Sequence, residues 1–155
     1  FAARSEGRKN PRYLDGLPSM LFTNSIHFKS IWKRGMQMDT SKMKIYHYTP
    51  GFQDNFYNMD WGISHSCFNH EPFGYSIFEA VDYGKLPILH GSWCKDLEYP
   101  YRASSKKEFV DIYKRLINTS YLEKSKWFNL LKEFMINNYT NKDKWISDLL
   151  DIYNI

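Results

Sequence analysis

Apolar residues recur along this chain first at strand spacing and then at helix spacing, and the change falls just after Tyr101. Upstream, Phe1-Ala2-Ala3-Arg4 reads as the end of a buried strand leading into a polar loop over 5–10. Pro11, a favoured first helical residue, opens a short turn that Gly16 and Pro18 stop. Residues 20–23 form a predicted strand. Over 25–34, Ile26, Phe28, Ile31 and Trp32 gather on one side with Gly35 as a C-terminal stop, which predicts a helix. Residues 43–49 alternate and halt at Pro50-Gly51, a strand followed by a turn, and 61–68 reads as another strand.

The centre of the chain is the most regular part. Gly74 precedes a predicted helix over 75–83, Gly84 closes it, and Leu86-Pro87-Ile88-Leu89 resumes as a strand. Ser105 with Glu108 makes a capping box ahead of Phe109, Ile112, Leu116 and Ile117 at helical spacing. Ser120 with Glu123 repeats the device before Leu122, Trp127, Leu130, Leu131, Phe134 and Met135, and a third helix after Thr140 carries Trp145, Ile146, Leu149, Leu150 and Tyr153. Strands alternating with helices imply an α/β fold, a parallel sheet covered on both faces and followed by a helical C-terminal tail. Such sheets bind ligands at the carboxyl ends of their strands, so a site is expected in the loops over 5–10 and 69–74.

Composition narrows the picture only a little. The 155 residues suffice for one domain spanning the whole chain, and the aromatic share of 18% means that rings supply much of its core. The net charge of +4 is dispersed rather than gathered into a basic run, which is weak support for an anionic partner. Abundant Asn, Lys, Ile and Tyr resemble the bias of an AT-rich genome. Cys67 and Cys94 lack disulfide or metal spacing and read as buried thiols of a reducing compartment. No apolar run approaches the ~18 residues of a spanning helix and no leader pattern opens the sequence, so a cytoplasmic protein is expected. A start at Phe1 within a strand implies further polypeptide upstream.

Candidate chemistry lies in Glu71-Pro72-Phe73-Gly74-Tyr75-Ser76-Ile77-Phe78-Glu79-Ala80, where two carboxylates flank a helix start. Gly74 lets a ligand approach the backbone, and the first amides of the helix, at the positive end of its dipole, favour a phosphate. Glu79, one turn inside, suits paired ribose hydroxyls, and Glu71 suits a hexose. Alone, Glu79 reads as a solvated helix residue, and Arg4 and Lys9 read as surface cations beside Glu6 and Asp15. His65 and His70 have no third ligand at metal spacing, and His70 reads as a polar loop residue. Trp127 and Trp145 read as core.

The conjunction resembles the signature of the group 1 glycosyltransferases, the family of glycogen and sucrose synthases, whose fold of two Rossmann-like domains is called GT-B. Glu71-Pro72-Phe73-Gly74 and Phe78-Glu79-Ala80 are similar to that family's pair of Glu residues and have its full spacing, and Gly84-Lys85-Leu86-Pro87-Ile88 resembles its following strand with one extra residue between Gly and Pro. Arg4 and Lys9 have the spacing of the family's cation pair after the first strand of the C-terminal domain, with Ala3 in place of the usual Gly. The resemblance spans residues 3–89. It implies the Rossmann-like C-terminal half of a GT-B enzyme that binds a nucleoside-diphosphate sugar, UDP- or GDP-linked, and transfers the glycosyl group with retention and no essential metal. In that case Glu71, Phe73, Gly74 and Tyr75 face sugar and distal phosphate, Glu79 holds the ribose, and Arg4 and Lys9 clamp the diphosphate whose charge grows as the bond breaks. Each charge-assisted contact is worth ~1.5–3 kcal/mol. The acceptor would bind a missing N-terminal domain, leaving this chain inactive by itself. Residues 89–102 are also similar to the corresponding stretch of phage enzymes that glucosylate modified DNA bases.

Two other function classes remain open to the sequence. One is a non-catalytic Rossmann-like interaction module, for which nucleotide sugars would have no effect. The other is a basic nucleic-acid binder, favoured by charge and aromatic content alone, whose affinity would fall steeply with salt.

Overall fold

A computed structural model describes residues 11–23, 38–47, 49, 63–66 and 75–140, together with Asp143 and Ser147. After a 3-10 turn at Pro11–Leu14 come strands β1 (Ser19–Thr23), β2 (Met43–His47) and β3 (Ile63–Ser66). Helix α1 (Tyr75–Asp82), β4 (Leu86–His90), β5 (Arg102–Ala103), α2 (Lys106–Asn118) and α3 (Tyr121–Met135) follow, and α3 continues into a π-helical turn at Ile136–Thr140. The fold is α/β. Among the described residues the strands form two parallel ladders, β1 with β2 and β3-β4-β5, rather than the single sheet expected. The strand over 1–4, the helix over 25–34 and most of the third C-terminal helix fall outside the described residues, although Asp143 and Ser147 have helical backbone.

Strand β4 lies between β3 and β5, and Leu86, Pro87, Ile88 and Leu89 are all buried. A proline in a middle strand ordinarily forfeits a ladder bond. Here it does not. Leu89 and Gly91 donate their N–H groups to Tyr101 and Ala103, so alternate residues 87, 89 and 91 turn toward β5. At Pro87 strand β5 has not yet begun, and the Pro87 carbonyl accepts the Tyr99 hydroxyl at 2.6 Å instead.

Helix α1 buries Ile77, Ala80 and Val81 and packs on β3, β4 and α3. It ends as the sequence predicts, in a Schellman turn. Gly84 has φ +71°, its N–H reaches Val81, and the Lys85 N–H reaches Ala80. Helix α2 turns Phe109, Ile112 and Leu116 inward, and α3 turns Leu131 and Met135. Both predicted caps form: Ser105 Oγ accepts the Glu108 amide and Ser120 Oγ accepts the Glu123 amide. The Glu108 carboxylate reaches back to the Ser104 amide at 2.6 Å, one residue upstream of the usual box partner. Trp127 is half-buried against the core, as expected of a packing residue.

Polar contacts tie the first segment to α2. Tyr13 Oη donates to the Ser104 carbonyl, Tyr113 Oη to the Pro18 carbonyl, and Lys106 Nζ lies 2.7 Å from Asp15 Oδ2. The Lys106 ammonium first, and then the Asp39 amide at 2.5 Å, hold the Asp15 carboxyl below the usual carboxylate range. A depressed folded-state value stabilises the fold above the unfolded value of about 3.9, and that contribution is lost as pH falls through the lower folded value. Asp15→Asn is therefore expected to cost about 1 kcal/mol or less at pH 7, given this exposure. In urea melts across pH, the gap to wild type should close as the medium is acidified below about pH 4; a gap that widened there would contradict the ion pair.

Candidate functional site

Of the residues singled out by the sequence, Arg4, Lys9, Glu71, Phe73 and Gly74 lie outside the described residues, as do His70 and Cys67. Tyr75 is the first residue of α1, and Glu79 is half-buried in its second turn. The described residues therefore include the helix that carries half of the motif, while the two cations and Glu71 lie outside them.

What is described is the carboxyl edge of the three-stranded ladder. Ser66, the last residue of β3, pairs with Leu89, and His90, the last of β4, pairs with Ala103, the last of β5. Strands β4 and β5 thus end level with each other, and the described part of β3 reaches the level of Leu89. Helix α1 follows β3 and α2 follows β5, each running back from this edge, the place where open parallel sheets receive ligands.

The start of α2 is not open to an anion. At α2 the Ser105 hydroxyl and the Glu108 carboxylate already take up the Glu108 and Ser104 amides, so a negative group of the protein sits there. An incoming phosphate would meet a carboxylate at α2, whereas the residues leading into α1 lie outside those described.

Between the helices stands a polar cluster that sequence reasoning passed over. His90 Nδ1 lies 2.6 Å from Ser92 Oγ and 3.1 Å from the Ser92 amide nitrogen. A Cβ at Gly91 would fall 2.0 Å from Ser104 Oγ, just beyond the end of β5. A signal was present in His90-Gly91-Ser92, the first polar run after four apolar strand residues.

The connection from β4 to β5 is held from inside by Arg102, whose guanidinium donates to the carbonyls of Trp93, Cys94 and Leu97. Cys94 takes a left-handed conformation, φ 41°, unusual for a residue with a side chain, and Arg102 secures its carbonyl. Its half-buried thiol lies 2.9 Å from Tyr139 Oη, and burial pushes the thiol above its usual range. Desolvation likewise raises Tyr139 to about 12. Tyr139 also meets Phe78 of α1 edge-on and stacks on Trp93, so one ring from the π turn joins the edge loop to α1.

A cleft of about 360 Å³ opens between Asp96, Leu97 and Glu98 of this connection and Leu130, Glu133 and Phe134 of α3. Its three carboxylates have the wrong sign for a diphosphate. No described helix is long and apolar enough to cross a membrane, and no group of three or more His, Cys, Asp or Glu side chains among the described residues is placed to hold a metal. Compared with protein-family models, with curated proteins and with solved structures, the chain matches none.

The close approach of Gly91 and Ser104 is directly testable. Gly91→Ala should destabilise by up to about 1 kcal/mol, since the exposed Ser104 hydroxyl has to turn away, and Ser104→Gly in the same chain should remove that cost, with a coupling of about 0.5 kcal/mol in a double-mutant cycle. Additive effects would mean that Gly91 and Ser104 do not meet this way.

Proposed function

We propose that this chain is the donor-binding half of a retaining glycosyltransferase. It holds a nucleoside-diphosphate sugar at the carboxyl edge of a Rossmann-like sheet and works with a partner domain that binds the acceptor. The observation that supports this best is the β3-α1-β4 unit. Helix α1 begins directly after Gly74, carries Glu79 in its second turn and stops at Gly84 before a buried parallel strand, so the acid-flanked motif spans a strand-to-helix crossing at the edge where parallel sheets bind ligands.

In this reading the first amides of α1 face the distal phosphate, Tyr75 lies at the same turn, Glu79 accepts hydrogen bonds from the ribose, and Glu71 lies beside the sugar with Phe73 and Gly74. Arg4 and Lys9 neutralise the diphosphate. The acceptor hydroxyl forms its bond to the anomeric carbon on the face from which the diphosphate departs, and its proton leaves with the diphosphate. The departing charge needs fixed positive partners, which the two cations and the α1 dipole supply without a required metal. The half-buried free thiol of Cys94 fits a reducing, cytoplasmic setting.

A thermal-shift panel of UDP, GDP, ADP and their sugars tests the reading. At about a hundredfold excess over Kd the matching nucleotide should raise the melting temperature by roughly 5–10 °C. Glu79→Ala and Arg4→Ala should each lose most of that rise, and the chain alone should transfer no sugar. Absence of stabilisation by every nucleotide would overturn the proposal.

A further inference from the structure

We propose that the corner joining α2 to α3 docks on an anionic lipid surface: Ile117, Tyr121 and Leu122 enter the headgroup boundary, and Lys114 and Lys126 meet the negative headgroups. The inference is independent of the donor-domain reading. Helix α2 runs back from the end of β5, and Arg115 in its last turn reaches the carbonyl of Pro100, ahead of that strand. Its 13 residues, at about 1.5 Å each, set the corner about 20 Å from the carboxyl edge.

Exposure is the first ground. Tyr121 is 86% exposed, Leu122 81% and Ile117 54%. Single apolar residues on a surface are ordinary, but these three share one corner. The backbone that presents them is already paired. Only Thr119 and Ser120 separate the two helices. The Thr119 amide donates to the Leu116 carbonyl and its hydroxyl to the Arg115 carbonyl, while Ser120 Oγ accepts the Glu123 amide. A corner fastened in this way holds its apolar side chains outward.

Charge is the second ground. Between Asp111 and Glu133 the chain has five basic residues, Lys114, Arg115, Lys124, Lys126 and Lys132, against the single acid Glu123. Arg115 is engaged inward, on the Pro100 carbonyl and over the Tyr101 ring. Lys114 and Lys126 are exposed, and Lys126 Nζ lies 5.1 Å from the centre of the Trp127 ring. Lys114 precedes Ile117 by three residues and Lys126 follows Leu122 by four, so each shares a helix face with an apolar residue of the corner and stands about one turn behind it. That is the spacing at which a lysine stem lies along hydrocarbon while its ammonium group stays among headgroups.

Other occupants fit less well. A second copy of this chain needs about 800 Å² of face on each partner, more than three side chains cover, and a twofold contact would set the same lysines against each other. A nucleic acid would use the lysines but leave Ile117 and Leu122 in water.

Co-sedimentation with vesicles tests the proposal. The chain should bind vesicles of equal parts phosphatidylcholine and phosphatidylserine, stay in solution with phosphatidylcholine alone, and come off the mixed vesicles at high salt. Leu122→Ser and Ile117→Ser should each weaken binding about tenfold, and Lys114→Gln about fivefold, all at melting temperatures close to wild type because these side chains are exposed. Failure to bind the mixed vesicles, or equal binding to both kinds, would overturn the proposal. So would a loss confined to Lys114→Gln, which would reduce the attraction to charge alone. A concentration-dependent dimer in analytical ultracentrifugation that Leu122→Ser abolishes would assign the corner to a second copy instead. None of these results bears on nucleotide binding, so the donor-domain reading stands or falls separately.

Discussion

Burial of β4 on both of its edges and across Leu86, Pro87, Ile88 and Leu89 is the constraint from which the rest of this structure follows. A strand so apolar has to be covered, and α1, α2 and α3 all pack on it. Removing its side chains from water supplies ~1.5–3 kcal/mol for each large residue. Parallel pairing puts the ends of β4 and β5 at one edge, and the first polar residues after the core, His90 to Ser92, follow there. The burial that stabilises the centre thus also sets the edge at which the ligand site is proposed.

The edge is kept in shape by groups remote from any ligand. Arg102 satisfies three carbonyls in a connection with no regular structure, where unpaired polar groups would each cost ~1–3 kcal/mol. Tyr99 satisfies the Pro87 carbonyl, and Tyr139 fastens the same connection to α1 through Phe78 and to the thiol of Cys94. These are side chains placed by burial and hydrogen bonding. They make the loop after β4 a well-fastened support at the edge of the ladder.

Much of the fold was legible because local chemistry and tertiary packing agree. Gly84 predicted the end of α1 since a left-handed turn requires it, and Ser105 and Ser120 predicted two helix starts since a hydroxyl must meet an orphan amide. Strand β5 was missed because its ladder is only two residues long. Yet Leu97, Tyr99, Tyr101 and Ala103 are all buried while Glu98 and Pro100 between them are exposed, a period of two that the proline and the charges masked. Of the candidate site, the sequence marked α1 and Glu79, while His90 carried no motif; only the pairing of β4 with β5 sets it level with Ala103, the end of β5. The clamp expected from Arg4, Lys9 and Glu71 depends on residues outside those described.

Hydrogen–deuterium exchange with and without a saturating nucleoside diphosphate tests the central claim most directly, the proposal that a ligand binds at the carboxyl edge beside α1. The account predicts slowed exchange in the first turn of α1 and at residues 90–92, with no change at the exposed corner over 117–122, where Ile117, Tyr121 and Leu122 face outward. Protection confined to that corner, or to the acidic cleft beside Glu98 and Glu133, would contradict it.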